Sequence, residues 1–141
     1  MRSDCIFCQI ANRKVETNIV FEDERTLAFL DANPLAKGHT IVIPKDHVGR
    51  LEKLGRDVAE AVFHTVHKLT GPIQEAAGAS ASTIAINNGP ASGQEIPHVH
   101  IHIIPRFPGD GGGSVHAIIK RKPKFKHEEM ENVAKSIRNL V

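Results

Sequence analysis

The chain of 141 residues has no tryptophan and no tyrosine, and only six phenylalanines. Proteins that bind single-stranded nucleic acid without sequence preference stack the bases on aromatic side chains, so this scarcity argues against that class. The net charge of +2 is also too small to indicate a groove for a phosphate backbone. We therefore do not expect nucleic acid as a partner.

Long hydrophobic runs are also missing. No apolar run approaches the roughly 20 residues that a membrane-spanning helix needs. The first residues, Met1 to Asp4, lead into only a few apolar residues, which is not the pattern of a secretory signal peptide. A composition of 40% apolar and 24% charged residues is ordinary for a globular domain. We expect a cytoplasmic protein without a membrane partner, folded as a single domain over residues 1–141.

Cysteine is scarce, and its two copies, Cys5 and Cys8, are spaced Cys-x-x-Cys. In a reducing compartment this spacing favours metal binding or redox exchange over a structural disulfide. A thioredoxin-like redox site requires the pair to lie between a strand and a helix, and no strand-length segment precedes Cys5. Zinc is therefore favoured, and because two cysteines fill only half of a tetrahedral site, two further ligands must come from elsewhere.

The most distinctive motif is the run His-Val-His-Ile-His-Ile-Ile at residues 98–104. Successive side chains of a strand point to opposite faces, so the three histidines are predicted to share one face and the intervening apolar residues the other. Imidazole can serve as a nucleophile, an acid or a metal ligand near neutral pH. The run predicts a strand that packs on the core by one face and offers chemistry by the other.

The rest of the chain predicts an α+β fold. Apolar residues at three- and four-residue spacing from Leu51 to Ile73 predict a long helix that ends at Gly78, with a kink or break at Gly71-Pro72. A second helix is predicted over about residues 126–140. Strands are predicted at residues 19–23, 26–30, 39–43, 83–87 and 98–104. This pattern indicates a five-stranded antiparallel sheet with one long central helix and a C-terminal helix.

A loop of small residues, Asn-Gly-Pro-Ala-Ser-Gly-Gln at 88–94, comes before the histidine run. Gly89 and Gly93 allow backbone N–H groups to approach an anion closely, and Asn87 and Gln94 add amide donors. By itself such a loop is also typical of an ordinary flexible connection. Beside three histidines it is interpreted as a phosphate cradle.

Together these motifs resemble the histidine triad (HIT) family, whose signature His-φ-His-φ-His-φ-φ, with φ apolar, is matched in full at residues 98–104. The resemblance extends to residues 38–47 (Gly-His-Thr-Ile-Val-Ile-Pro-Lys-Asp-His), to Asn87 and Gly89, and to Gly93-Gln94. The phrase Cys-Ile-Phe-Cys at residues 5–8 is similar to the zinc-containing, Hint-like members. The resemblance implies a HIT-like fold with a core over about residues 1–106, a variable tail over about 107–141, and a homodimer.

The resemblance also implies a nucleotide hydrolase or transferase that acts at the α-phosphate of purine nucleoside phosphoramidates or adenylyl conjugates. His100 would be the nucleophile and would carry a covalent nucleotidyl group that water then cleaves. His102, His39 and Gln94 would support the reaction, with Gln94 and the loop amides contacting non-bridging oxygens. The resemblance implies that the carboxylate of Asp31 accepts hydrogen bonds from the ribose hydroxyls. The other implied substrate-binding residues are Asn87, Gly93, Gln94 and His102.

For zinc-containing relatives, the metal ligands include the first triad histidine and the histidine of the Pro-Lys-x-His phrase. Carried onto this sequence, the ligand set becomes Cys5, Cys8, His47 and His98. A closed Cys₂His₂ site of this kind is structural rather than catalytic. The alternative is that the two cysteines are free thiols and that His98 only packs and hydrogen-bonds.

Two other functions remain open from the sequence. One is hydrolysis of dinucleoside polyphosphates such as diadenosine polyphosphates, and the other is a non-catalytic nucleotide-binding or scaffolding role. Glu95 departs from the pattern, since many relatives that cleave nucleoside phosphoramidates carry serine or threonine there, and this leaves leaving-group preference open. The basic run at residues 120–126 is interpreted as a solvated linker.

Overall fold

The computed structural model describes residues 2–141 and divides into two compact units, residues 2–110 and residues 111–141. The second unit contains a single 3₁₀ turn at Val115–Ala117 and the helix α3, His127–Leu140. In the first unit, single 3₁₀ turns lie at Leu51–Lys53 and Pro90–Ser92. Its helices and strands are α1 (Ile6–Ala11), β1 (Ile19–Glu22), β2 (Thr26–Leu30), β3 (Thr40–Pro44), α2 (Arg56–Ala77), β4 (Ala81–Ala85) and β5 (Ile101–Arg106).

All five strands form one antiparallel sheet in the order β1-β2-β3-β5-β4, which confirms the predicted fold class. The two faces of the sheet are covered by different helices. On one face Phe29 and Ile41 pack with Phe7 and Ile10 of α1, and the two cysteines belong to the same cluster. On the other face α2 buries an apolar stripe against the sheet through Val62, Val66, Leu69 and Ile73. The N-terminal segment and α2 therefore lie on opposite sides of the sheet.

The histidine run enters the sheet later than predicted. β5 begins at Ile101 rather than at residue 98, because the amides of His98 and Val99 donate to the carbonyls of Ile96 and Val48 instead of joining the ladder. Within β5 the alternation holds, with Ile101 buried and His102 half-buried. The prediction that all three histidines share one face of a strand is therefore wrong, since only the last of them lies in the strand.

The long helix also differs from its prediction. It begins at Arg56 after a separate 3₁₀ turn, and it is continuous through Pro72, where the sequence predicted a kink or a break. Pro72 and Lys68, whose carbonyl loses its i+4 donor, are both exposed, so the missing hydrogen bond lies on the solvent side of the helix. The helix ends where predicted, at Gly78, whose φ is +72°.

β4 begins at Ala81, two residues earlier than predicted, and ends at Ala85.

Over residues 2–141, none of the helices combines the length and the apolar character that crossing a bilayer requires.

Candidate active site and metal centre

A cavity of about 600 Å³ opens on the face of the sheet that α1 covers. One part of its wall is apolar, with Phe7, Ile10 and Phe29 among its lining residues. Polar groups that the sequence singled out share the same cavity, namely Asp31, Asn87, Gly93, His100 and His102. An apolar wall combined with a few converging polar groups is typical of a small-molecule site.

His100 is held in one tautomer by the backbone. Its Nδ1 lies 2.7 Å from the carbonyl oxygen of His98, and since a carbonyl can only accept, Nδ1–H must donate. The ring is buried, and it meets the edge of Phe7 with the ring centroids 5.0 Å apart. The other ring nitrogen, Nε2, therefore keeps its lone pair, as a neutral imidazole nucleophile requires.

A chain of hydrogen bonds also sets the tautomer of His102. The amide of Leu35 donates to Nδ1 of His39 at 3.0 Å, so the proton of the neutral His39 ring must lie on Nε2. That nitrogen is 2.9 Å from Nδ1 of His102, which therefore accepts. The proton of His102 is left on its own Nε2. His102 is thus prepared to donate a hydrogen bond, while His39, which does not line the cavity, orients it from behind.

Burial favours the neutral form of both of these rings. It lowers the pKa of His102 to about 4; repulsion from His100 and His39 in their protonated forms acts in the same direction, and Asp31 opposes the shift. Burial likewise lowers the pKa of His39, again opposed by Asp31. The carboxylate Oδ2 of Asp31 lies 3.5 Å from Nε2 of His39 and 3.9 Å from Nδ1 of His102. These three residues could also hold a metal ion, but it would have to displace the shared His39–His102 proton.

Gln94 is used by the loop itself. Its Nε2 donates to the carbonyls of Gly49 and Ile96 at 2.8 and 3.0 Å, and its Oε1 accepts from the amide of Gly89 at 2.7 Å. Gly93 lines the cavity and Gln94 does not. In this structure the Gln94 side chain holds the shape of the loop, and its predicted contact with a phosphate oxygen stays a prediction.

A second cluster lies beside this site. Nδ1 of His98 is 3.4 Å from Sγ of Cys5 and 3.6 Å from Sγ of Cys8, and Nδ1 of His47 is 3.3 Å from Sγ of Cys8. All four ligand atoms lie within 4.8 Å of one another. Cys5, Cys8 and His98 are buried, and His47 is half-buried. The structure thus brings together the four residues that the sequence predicted as a ligand set.

These distances fit a tetrahedral metal ion. For Zn–S near 2.3 Å and Zn–N near 2.0 Å, tetrahedral angles separate sulfur from nitrogen by about 3.5 Å. The ring of His98 is also in the correct tautomer, because its Nε2–H donates to the carbonyl of Pro44 at 2.7 Å and leaves the Nδ1 lone pair facing the sulfurs. The donor set and its geometry both suit zinc.

One residue connects the two sites. The side chain of His98 belongs to the Cys₂His₂ cluster, and its backbone carbonyl fixes the tautomer of His100. The histidine tautomers in both sites are set by backbone atoms, which leave no signature in the sequence. These atoms are the carbonyl oxygens of His98 and Pro44 and the amide of Leu35. The sequence also did not predict Phe7 as a residue of the cavity wall. Its place between the two cysteines is the signal that could have indicated it, because that puts it beside the ligand set.

Comparison with known proteins gives the same family as the motifs. Residues 12–109 match the family model of the HIT domain. Adenosine 5'-monophosphoramidase hnt1 of Schizosaccharomyces pombe is 36% identical over 102 residues, which are 72% of this chain and 74% of that protein. Adenylylsulfatase HINT3 of Arabidopsis thaliana is 40% identical over 106 residues, which are 75% of this chain and 54% of that protein.

Solved structures of the same family resemble this chain over nearly its whole length. The crystal structure of a HIT family member from Bacillus subtilis has a TM-score of 0.87 at 36% identity, covering 99% of this chain and 98% of that chain. A zinc-bound histidine triad family protein from Mycobacterium smegmatis has a TM-score of 0.73 at 28% identity, covering 97% of this chain and 95% of that chain. With the family match over residues 12–109 and the shared five-stranded sheet, this chain belongs to the HIT domain family.

Proposed function

We propose that this protein hydrolyses purine nucleoside phosphoramidates or related adenylyl conjugates at the α-phosphate, through a covalent nucleotidyl-His100 intermediate. The observation that carries the proposal is the 2.7 Å hydrogen bond from Nδ1 of His100 to the carbonyl of His98, which leaves Nε2 with a lone pair beside the cavity. The names of the relatives, a monophosphoramidase and an adenylylsulfatase, support the same reaction class.

The reaction would proceed by two displacements at phosphorus. In the first, Nε2 of His100 bonds to the α-phosphorus and the P–N bond to the leaving amine breaks; the amine leaves with the electron pair and is protonated by solvent water. In the second, water bonds to phosphorus, the P–Nε2 bond breaks, and its electron pair returns to the His100 ring. The proton of that water passes to solvent, and the nucleoside monophosphate is released.

Neighbouring groups would stabilise the charge that develops on the phosphoryl oxygens. The Nε2–H of His102 is the donor suited to a non-bridging oxygen, and its orientation depends on His39. The ribose hydroxyls would be received by Asp31, and the base would lie against the apolar wall near Phe29. We assign Gln94 a positioning role, since its side chain holds the loop that carries Gly93.

Zinc would be bound by Cys5, Cys8, His47 and His98, and a reducing, cytoplasmic location would keep both thiols available as ligands. Four protein ligands leave no open position, so the ion supplies cross-linking rather than Lewis-acid chemistry. It would tie α1 and the residue before it to the loop that follows β3 and to His98, two residues before His100. In this way the metal site would hold the backbone carbonyl on which the nucleophile depends.

A substrate panel tests the proposed reaction. We expect kcat/KM for adenosine 5'-phosphoramidate to exceed that for diadenosine tetraphosphate by about tenfold or more, because the carboxylate of Glu95 at the cavity would repel a polyphosphate leaving group. Adenylyl sulfate is measured beside them. Faster hydrolysis of diadenosine tetraphosphate would favour the dinucleoside polyphosphate hydrolases instead. Nucleotide binding without turnover of any of the three substrates would indicate a binding protein.

We also propose that the protein forms a homodimer through the edge strand β4, with α2 contributing. The other edge strand, β1, pairs irregularly with β2, with a register shift between Ile19 and Phe21, and such irregularities blunt an edge against further pairing. β4 pairs regularly with β5 and presents Ile84, which is 48% exposed, and α2 presents Phe63, which is 46% exposed. A regular edge strand with exposed apolar side chains suits a sheet that continues into a second copy.

Replacing Ile84 with lysine should convert the dimer to a monomer, because a charge at the centre of a pairing edge is costly to bury. Light scattering at micromolar concentration measures the change in mass. Val20→Lys on β1 is the matched control, since Val20 is 41% exposed on the opposite edge, and this variant should remain dimeric. A monomeric wild-type protein, or dissociation by the Val20 variant alone, would refute the β4 interface.

A further inference from the structure

A second cavity, of about 560 Å³, adjoins the proposed nucleotide cavity. Ile6, Glu95 and Ile96 line both cavities, so these residues form their common border. The second cavity is otherwise lined by the side chains of Arg2 and Asp4 and by two residues of the metal cluster, Cys5 and His47.

The position of the border indicates what could occupy the second cavity. The phosphorus atom must lie at His100, and the nucleoside takes the part of the first cavity near Phe29 and Asp31. A leaving group attached to the same phosphorus must extend away from the nucleoside. Glu95 and Ile96 line both cavities, so the second cavity lies directly beside the first. A leaving group that extends past the Glu95 carboxylate would therefore reach the second cavity.

The described charged side chains that line the second cavity differ in their pairing. The guanidinium of Arg2 is bound to the carboxylate of Asp4 by two hydrogen bonds of 3.0 and 3.2 Å, so this pair is neutral as a unit. Within residues 2–141, Glu95 makes no hydrogen bond or ion pair with its side chain. A zinc ion on two thiolates and two neutral imidazoles would add no net charge. Among the described charged side chains that line the second cavity, Glu95 is therefore the one without an ion-pair partner.

We propose that the second cavity is the leaving-group subsite, and that Glu95 makes it selective for leaving amines that carry an additional positive charge, such as an aliphatic ammonium or a guanidinium. The inference rests on the proposed phosphoramidate hydrolysis. The apolar border residues Ile6 and Ile96 suit the methylene chain of such an amine, and the carboxylate suits its charged end.

Three adenosine phosphoramidates of matched length test the selectivity. Their amine chains end in an ammonium, a methyl or a carboxylate group, and kcat/KM is measured for each at low ionic strength. Wild-type protein should prefer the ammonium over the methyl compound by about fivefold, the size expected of one partly solvated charge pair, and should disfavour the carboxylate compound. Raising the salt to ~1 M should bring the ratios towards one.

Substitution at the border separates charge from packing. Glu95→Gln should abolish the preference, and Glu95→Lys should reverse it, with the ratios compared within each variant so that changes in overall rate do not matter. Glu75→Gln, at an exposed position on α2, removes the same charge elsewhere and should keep the wild-type ratios. Equal kcat/KM values for the three compounds in wild-type protein would overturn the subsite alone. Failure to hydrolyse any of them would overturn the proposed function as well.

Discussion

Replacing His100 with alanine should lower kcat for adenosine 5'-phosphoramidate by at least about 10⁴-fold, the scale seen when a covalent nucleophile is removed. The loss follows from the chemistry, because both displacements use Nε2 of this ring, whereas Nε2 of His102, the other described histidine that lines the cavity, carries its proton. A kinetic assay on purified wild-type and variant protein measures the effect.

Two further variants separate the nucleophile from its surroundings. His102→Gln removes one donor to a phosphoryl oxygen and should cost about 10²–10³ in kcat, less than loss of the nucleophile. His64→Ala, at an exposed position on α2, is the matched control and should leave kcat unchanged. A His100→Ala protein that keeps more than about one hundredth of the wild-type kcat would assign the nucleophile elsewhere.

Loss of the metal cluster should have the second largest effect. Cys8→Ser should reduce bound zinc from about one per chain to near zero and lower the Tm by about 10 °C or more, as expected if several kcal/mol of folding free energy is lost. The reason is that Sγ of Cys8 lies near both histidines of the cluster, 3.3 Å from Nδ1 of His47 and 3.6 Å from Nδ1 of His98. Elemental analysis and thermal unfolding followed by circular dichroism measure the two quantities.

The same variant should also lose activity at temperatures where it remains folded, since the His98 carbonyl orients His100. His67→Ala, an exposed histidine outside the cluster, controls for loss of a surface histidine and should keep zinc, Tm and kcat. Wild-type protein that binds no zinc, and whose Tm does not respond to a chelator, would favour free thiols instead. Zinc loss with unchanged kcat would break the proposed link between the two sites.

Much of the fold could be predicted from hydrophobic periodicity. The antiparallel sheet follows from short apolar segments bounded by turn residues, and strands β2 and β3 lie within a residue of their predicted bounds. The start of β5 could not be predicted, because the amides of His98 and Val99 donate to the carbonyls of Ile96 and Val48. No local sequence pattern indicates these two hydrogen bonds. The continuity of α2 through Pro72 depends likewise on which side of the helix faces solvent.

The candidate site shows a similar division. The polar residues that share the cavity follow from the family motif, since spacing and residue type are sequence properties, whereas its apolar wall does not. The tautomers of the rings do not, because they are set by backbone atoms of Leu35, His98 and Pro44 that any residue would supply. Gln94 illustrates the ambiguity best: an amide can hold a loop or contact a phosphate, and only its position distinguishes the two uses.

Trapping the covalent intermediate is the most direct test of His100 as the nucleophile. Wild-type protein is mixed with adenosine 5'-phosphoramidate, quenched within the first turnover in an alkaline denaturant that preserves phosphorus–nitrogen bonds, digested and analysed by mass spectrometry. We predict one adenylyl group on the peptide that contains the histidine run, assigned by fragmentation to His100, and none on the His100→Ala protein. Product formation without an adduct, or an adduct that survives this substitution, would contradict the proposed mechanism.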